Sequence, residues 1–180
     1  ITGNQMVYHS ITPDSEGSVS TWYDQRVPTA SGALVFEGEG SGTYAEIGEN
    51  LIPATDDFDI TVKFRKTSTA NQSIISQYTL LVDGRFDLFI DNSDQLNFFV
   101  GLSSGNVFEI GTTTIPNDIE QTIQFTRVGS NFTVKLNGVT EITATSSGAI
   151  EQTTTRISYN GGGTPREFNG SIYDLTINGT

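Results

Sequence analysis

The chain has no cysteine. That excludes a disulfide scaffold, a thiolate zinc site and a thiol nucleophile. Histidine is represented only by His9, so a multi-histidine metal centre is excluded and a Ser-His-Asp triad has one possible base. No nucleophile-elbow motif accompanies it. The strong helix formers are scarce, with 7 Ala, 9 Leu, 1 Met and 3 Lys among 180 residues, which argues against a helical protein. No run approaches the roughly 20 apolar residues of a membrane-spanning helix. Basic residues are few: 9 Lys and Arg against 21 Asp and Glu give a net charge of −12. Nucleic acid and anionic membranes are therefore unsuited as partners, because the phosphate attraction that dominates such binding has the wrong sign. No leader pattern opens the chain, and its start at Ile1 reads as that of a piece of a longer protein.

What is present is β-former and turn-former. There are 25 Thr, 17 Ile, 11 Val and 18 aromatic residues, alongside 19 Gly, 17 Ser and 12 Asn. Residues 1–32 form an irregular N-terminal segment, rich in Ser, Pro, Gly and Asp, with one predicted strand at Val19–Gln25 that joins the rest. From residue 33 onward, short strands recur about every 8–12 residues, the rhythm of a sandwich or barrel. Phe58, Ile60, Val62 and Phe64 alternate with Asp59, Thr61, Lys63 and Arg65. Phe86, Leu88 and Ile90 alternate with Arg85, Asp87, Phe89 and Asp91, and Leu96, Phe98 and Val100 with Asn97 and Phe99. Period two means one buried face and one wet face. Asn137-Gly138 lies between the runs 131–136 and 139–145 and predicts a type I′ hairpin, because that turn needs positive φ at both central residues.

The order of these motifs resembles the laminin-G-like, concanavalin A-like family. Leu34-Val-Phe-Glu-Gly38 with Tyr44-Ala-Glu-Ile47 resembles its opening strands, and Asp57-Phe-Asp-Ile-Thr-Val-Lys-Phe64 its "D-F-T-I" strand. Ile74-Ile-Ser-Gln77 is similar to its "I-L-S-Q" strand. Thr122-Ile-Gln-Phe-Thr-Arg127, Phe132-Thr-Val-Lys-Leu-Asn-Gly138 and Phe168-Asn-Gly-Ser-Ile-Tyr-Asp-Leu-Thr-Ile177 resemble its closing strands. Thr21-Trp-Tyr-Asp-Gln25 is similar to a segment that precedes such domains in bacterial and phage surface proteins. The resemblance implies an all-β, single-domain β-sandwich: a jelly roll of two antiparallel sheets over residues 33–180. It also implies the family's range of ligands: glycans, proteins or calcium, with some members glycoside hydrolases.

A glycosidase needs two carboxyl groups about 5–10 Å apart. No run of closely alternating carboxylates of the family's hydrolase type is present; the nearest alternations are Glu37 with Glu39 and Asp87 with Asp91, the latter spanning about 13 Å of strand on one wet face. The chain is therefore expected not to be an enzyme. For calcium, which wants six to eight oxygens, the candidates are Asp91, Asn92 and Asp94, with Asp56, Asp57 and Asp59 as a second cluster. Sugar sites pair an aromatic platform with polar groups for the hydroxyls. Phe89 and Phe99 stand on the polar phase of strands whose other phase is already apolar, so they either line a concave face or are covered. Trp22, Tyr23, Tyr44 and Tyr173 are further aromatics, and Tyr78, Tyr159, Asn160 and Arg166 complete the candidate site, the last three flanking or lying in the Gly-rich loop 160–166.

The expected function is non-catalytic: a carbohydrate-binding or adhesion module at an extracellular or virion surface, taking a glycan or cell-surface polysaccharide. Ca²⁺ is the one cofactor considered. Sister subunits or other domains of a longer parent protein are further expected partners, and membrane insertion is not expected. The alternatives are a structural packing module of a phage tail, fibre or capsid, marked by an apolar patch around Phe89 and Phe99, and a hydrolase or lyase with a carboxylate dyad not visible in the motifs.

Overall fold

The computed structural model describes residues 9–10, 33–38, 40–80, 82–101, 105–159 and 166–179. The expected strand at Val19–Gln25, with Trp22 and Tyr23, lies outside the described residues, as does Asn160.

Among the described residues, thirteen antiparallel strands form two sheets. The seven-stranded sheet runs β1 (His9–Ser10), β3 (Thr43–Glu49), β12 (Thr154–Ile157), β5 (Gln72–Gln77), β6 (Arg85–Ile90), β7 (Gln95–Gly101), β8 (Val107–Thr114). The six-stranded sheet runs β11 (Val139–Thr145), β10 (Asn131–Leu136), β9 (Gln121–Val128), β4 (Phe58–Lys66), β13 (Asn169–Gly179), β2 (Leu34–Glu37). This is the all-β jelly-roll sandwich the motif order implies. The N-terminal segment meets it where His9 and Ser10 pair with Tyr44 and Thr43.

Local chemistry explains the elements. β4 alternates buried and half-buried residues along its whole length. The predicted hairpin forms with the expected strand limits, and Asn137 (φ 50°) and Gly138 (φ 83°) both take the left-handed conformation of a type I′ turn. Gly170, at φ 147°, lets β13 lie against β4 where a Cβ would stand 2.1 Å from the carbonyl oxygen of Arg65. Between the sheets the inward phases meet in an aromatic core. Phe125 (β9) packs on Phe58 at 5.0 Å, Phe86 at 5.2 Å, Phe98 at 5.3 Å and Phe132 at 6.0 Å.

One edge of the sandwich is closed by a carboxylate. Glu141 on β11 accepts hydrogen bonds from the backbone amides of Thr112 and Thr113 (3.1 Å each) and the Thr113 hydroxyl (2.6 Å) on β8. Partial burial pushes its pKa up, but these donors outweigh it and hold the pKa below the ordinary value. The Asp91 carboxyl behaves alike: partial burial opposes, and the Gln95 amide, the Asn97 side chain and the Ser93 amide prevail, so its pKa is lowered. A folded-state pKa below the unfolded one gives stability that is present above the unfolded value and lost as pH falls through the folded value. Melting temperature should therefore hold steady down to about pH 4.5 and fall below about pH 4, the ordinary carboxylate range. The Glu141→Gln profile should be flatter in that window. Parallel profiles for the two proteins, followed by circular dichroism, would remove Glu141 from the account.

Candidate functional site

The outer face of the seven-stranded sheet gathers most of the predicted sugar-site residues. Its pairing register sets a row of outward side chains across six strands: Glu46, Arg156, Ser76, Asp87, Phe99 and Phe108. A second row carries Ser73, Phe89, Asn97 and Ile110, and a third pairs Arg85 with Gly101.

The centre of this face is closed by its own polar network. Asp87, 1 % exposed, accepts a hydrogen bond from the Ser73 hydroxyl (2.6 Å) and pairs with Arg166 Nη1 (3.2 Å). The Arg166 guanidinium lies 4.0 Å above the Phe89 ring, and its carbonyl accepts the Ser73 amide at 2.7 Å, which docks this residue on β5. The expectation that Asp87 stands on a wet face is corrected: a carboxylate with a hydroxyl and a guanidinium on it tolerates burial that a free one does not. Of the two outcomes open to Phe89, cover is the one found, since it is 4 % exposed beneath Arg166.

Toward β8 the face opens. Phe99 is half-buried, and Phe108 and Ile110 are each 48 % exposed. Phe108 lies 6.4 Å from Phe89 and 6.5 Å from Phe99, and Tyr78 is 6.3 Å from Phe99. Arg85 spans this cluster, its Cζ 5.4 Å from the Phe99 centroid and 6.0 Å from that of Tyr78. At the β3–β12 side, Tyr44 and Tyr159 stack at 5.0 Å beside the Arg156–Glu46 ion pair (3.1 Å). The Tyr44 hydroxyl pKa is raised, first by partial burial and then by Glu46. The Tyr159 carbonyl accepts the Ser76 hydroxyl at 2.6 Å. The predicted residues thus divide into an aromatic cluster with Phe89, Phe99, Tyr78 and Arg166, and a tyrosine pair with Tyr159.

Asp91, Asn92 and Asp94 come together in the β6–β7 turn, at one end of the sandwich. Asp91 Oδ1 accepts the amides of Ser93 (2.8 Å) and Gln95 (3.0 Å). Asp94 takes the Lys66 ammonium on Oδ1 (2.7 Å) and the Thr69 hydroxyl on Oδ2 (2.9 Å). These oxygens do not fit a calcium cage, because an ammonium already supplies the positive charge at Asp94. Among the described residues, no group of three or more His, Cys, Asp or Glu is placed to hold a metal ion.

Sequence reasoning missed Arg85, Phe108 and Ile110 as members of the face. Arg85 carried a signal, since it stands in phase with Phe89; Phe108 carried none, because residues 107–110 are apolar in both phases apart from Glu109.

No family model matches the chain, and no curated protein matches its sequence. Solved structures do match its fold. The CBM40 of the Ruminococcus gnavus IT-sialidase, bound to α2,3-sialyllactose, is 14 % identical over 81 % of this chain and 88 % of its own, with a TM-score of 0.66. Domains LG4–5 of the mouse laminin α1 chain are 18 % identical over 91 % of this chain and 46 % of theirs, with a TM-score of 0.67. Domain 4 of AbnA, a GH43 extracellular arabinanase from Geobacillus stearothermophilus in complex with arabinotriose, is 17 % identical over 82 % of this chain and 72 % of its own, at 0.64. The fold is the concanavalin A-like, laminin-G-like jelly roll, and sugar-bound modules are among the structures that share it.

Proposed function

We propose that this chain is a non-catalytic carbohydrate-binding module that takes glycans on the outer face of its seven-stranded sheet. The observation that carries the reading is the open aromatic cluster of Tyr78, Phe99 and Phe108, interleaved with Arg85 and set beside a rigid, self-satisfied polar centre. Flat apolar rings pack on sugar C–H faces, and fixed polar groups read hydroxyls. Sugar-bound neighbours of the same fold support it, as does the extracellular arabinanase for a module working outside the cell. A cell or virion surface is the setting in which shallow single sites gain strength by multivalent display.

A non-catalytic role agrees with the carboxylates of the face. Glu46 and Asp87 are each in an ion pair with arginine. They stand three strands apart, about 14 Å at the usual strand spacing. Either glycosidase geometry requires less than about 10 Å.

The test is a glycan array probed with a multimerised form of the protein, with calcium and with chelator. Binding to a defined glycan class is expected, and the chelator arm reads whether an ion contributes. Phe108→Ala should weaken that binding about tenfold, equivalent to about 1.4 kcal/mol. At 48 % exposure its melting temperature should fall by less than about 3 °C. A second reading, packing against sister subunits, draws on the exposed Phe108 and Ile110 of the edge strand β8. Silence on the array from folded protein that self-associates with concentration would favour it.

A further inference from the structure

We infer that the face selects anionic glycans, bearing carboxylate or sulfate, and that Arg85 is the residue that reads the charge. The inference rests on the carbohydrate-binding reading above. On this face Arg156 is matched by Glu46 and Arg166 by Asp87, while Arg85 is in no ion pair among the described residues. Its Nη1 donates to the Val82 carbonyl (3.1 Å), and its buried Nε has no acceptor among the described residues. The guanidinium lies against the Phe99 and Tyr78 rings. A cation held in this way has lost part of its hydration and gained no counter-charge, so an arriving anion meets a site already organised for it. Guanidinium geometry suits carboxylate and sulfate oxygens alike, and the rings beside it take the sugar's apolar face.

The opposing strand is shaped to this end. Arg85 pairs in register with Gly101, and a Cβ at Gly101 would stand 2.6 Å from Arg85 Cζ and 2.7 Å from Nε. Glycine there leaves the space in which the guanidinium lies. The chain's net charge of −12 acts in the opposite sense to Arg85. It repels polyanions at a distance, so retention of an anionic glycan requires a local, correctly shaped contact and cannot come from diffuse charge attraction.

The experiment is an array carrying neutral oligosaccharides and carboxylated and sulfated counterparts of the same backbones, probed with four proteins. The unsubstituted chain should bind only anionic members, and comparison of the two anionic sets separates carboxylate from sulfate. Arg85→Gln should lose at least tenfold. Gly101→Ala keeps the charge but displaces the guanidinium, a flexible side chain that can move aside, so that variant should fold and also lose about tenfold. Lys135→Gln, on the other sheet, removes an equal charge and should stay within twofold. Equal binding of neutral and anionic members, or equal loss in Arg85→Gln and Lys135→Gln, would overturn the inference and leave the carbohydrate reading standing. Absence of any glycan binding by the folded protein would remove the carbohydrate reading, and this inference with it.

Discussion

Lys66→Ala should destabilise the protein by about 3–5 kcal/mol, the usual result of removing one partner from a buried ion pair. Lys66 is the last residue of β4, in the six-stranded sheet, and its side chain is fully buried. Its ammonium donates to Asp94 Oδ1 at 2.7 Å, to the Asn117 side chain and, at 3.4 Å, to the Ser68 carbonyl. Asp94 belongs to the β6–β7 turn of the other sheet, so this one side chain joins the two layers at the end of the sandwich. Its backbone carbonyl adds a bond from the Asp118 amide, 2.8 Å away. Truncation leaves the Asp94 carboxylate, 18 % exposed, without its counter-charge and opens a cavity where the stem was. The melting temperature should fall by roughly 6–20 °C. The paired change Lys66→Met with Asp94→Asn removes both charges at similar volume and should recover much of that loss. A drop for Lys66→Ala below about 1 kcal/mol, in chemical denaturation, would show that the pair behaves as a solvated surface contact.

Lys66 also shows where periodicity was informative and where it stopped being read. The phase that buries Phe58, Ile60, Val62 and Phe64 extends one step further to Lys66, so its inward placement is written in the sequence. Its partner is not, because Asp94 lies 28 residues away and only the sandwich brings the two together. The same division holds elsewhere. Asn137-Gly138 determines its hairpin through backbone conformation, a local property, and the strand limits followed. Burial of Asp87 and Phe89 depends on Arg166, 79 residues beyond Asp87, which alternation within β6 cannot encode. The Asp91–Asp94 run offered the composition of a cation site, yet composition does not record that Lys66 and two backbone amides reach those oxygens first. The aromatic cluster was half legible: Phe99 stood out on the polar phase, whereas the open space beside it depends on Gly101 lying opposite Arg85 across two strands.

Phe125→Ala should be the most damaging change in the core, by about 3–5 kcal/mol and again roughly 6–20 °C in melting temperature. Phe125 is fully buried on β9 and is the ring on which Phe58 and Phe132 of its own sheet and Phe86 and Phe98 of the facing sheet converge. Each of those aromatic contacts adds about 0.5–1.5 kcal/mol beyond area burial. The backbones of β4 and β10 flank β9 through continuous ladders and cannot collapse into the void. Phe125→Leu keeps most of the volume and should lose less than half as much. A denaturation midpoint within about 1.5 kcal/mol of the unsubstituted protein for Phe125→Ala would mean that the two sheets close over the gap. The comparison with Phe108→Ala then separates the two aromatic populations of the chain. Below its lowered melting temperature, Phe125→Ala should keep its glycan binding, because the face built on β5 to β8 is carried by the ladders of its own sheet. Phe108→Ala should keep nearly all its stability and bind about tenfold more weakly. Unchanged glycan binding by folded Phe108→Ala, with loss in Phe125→Ala at a temperature where it is folded, would place the binding surface elsewhere than on this face.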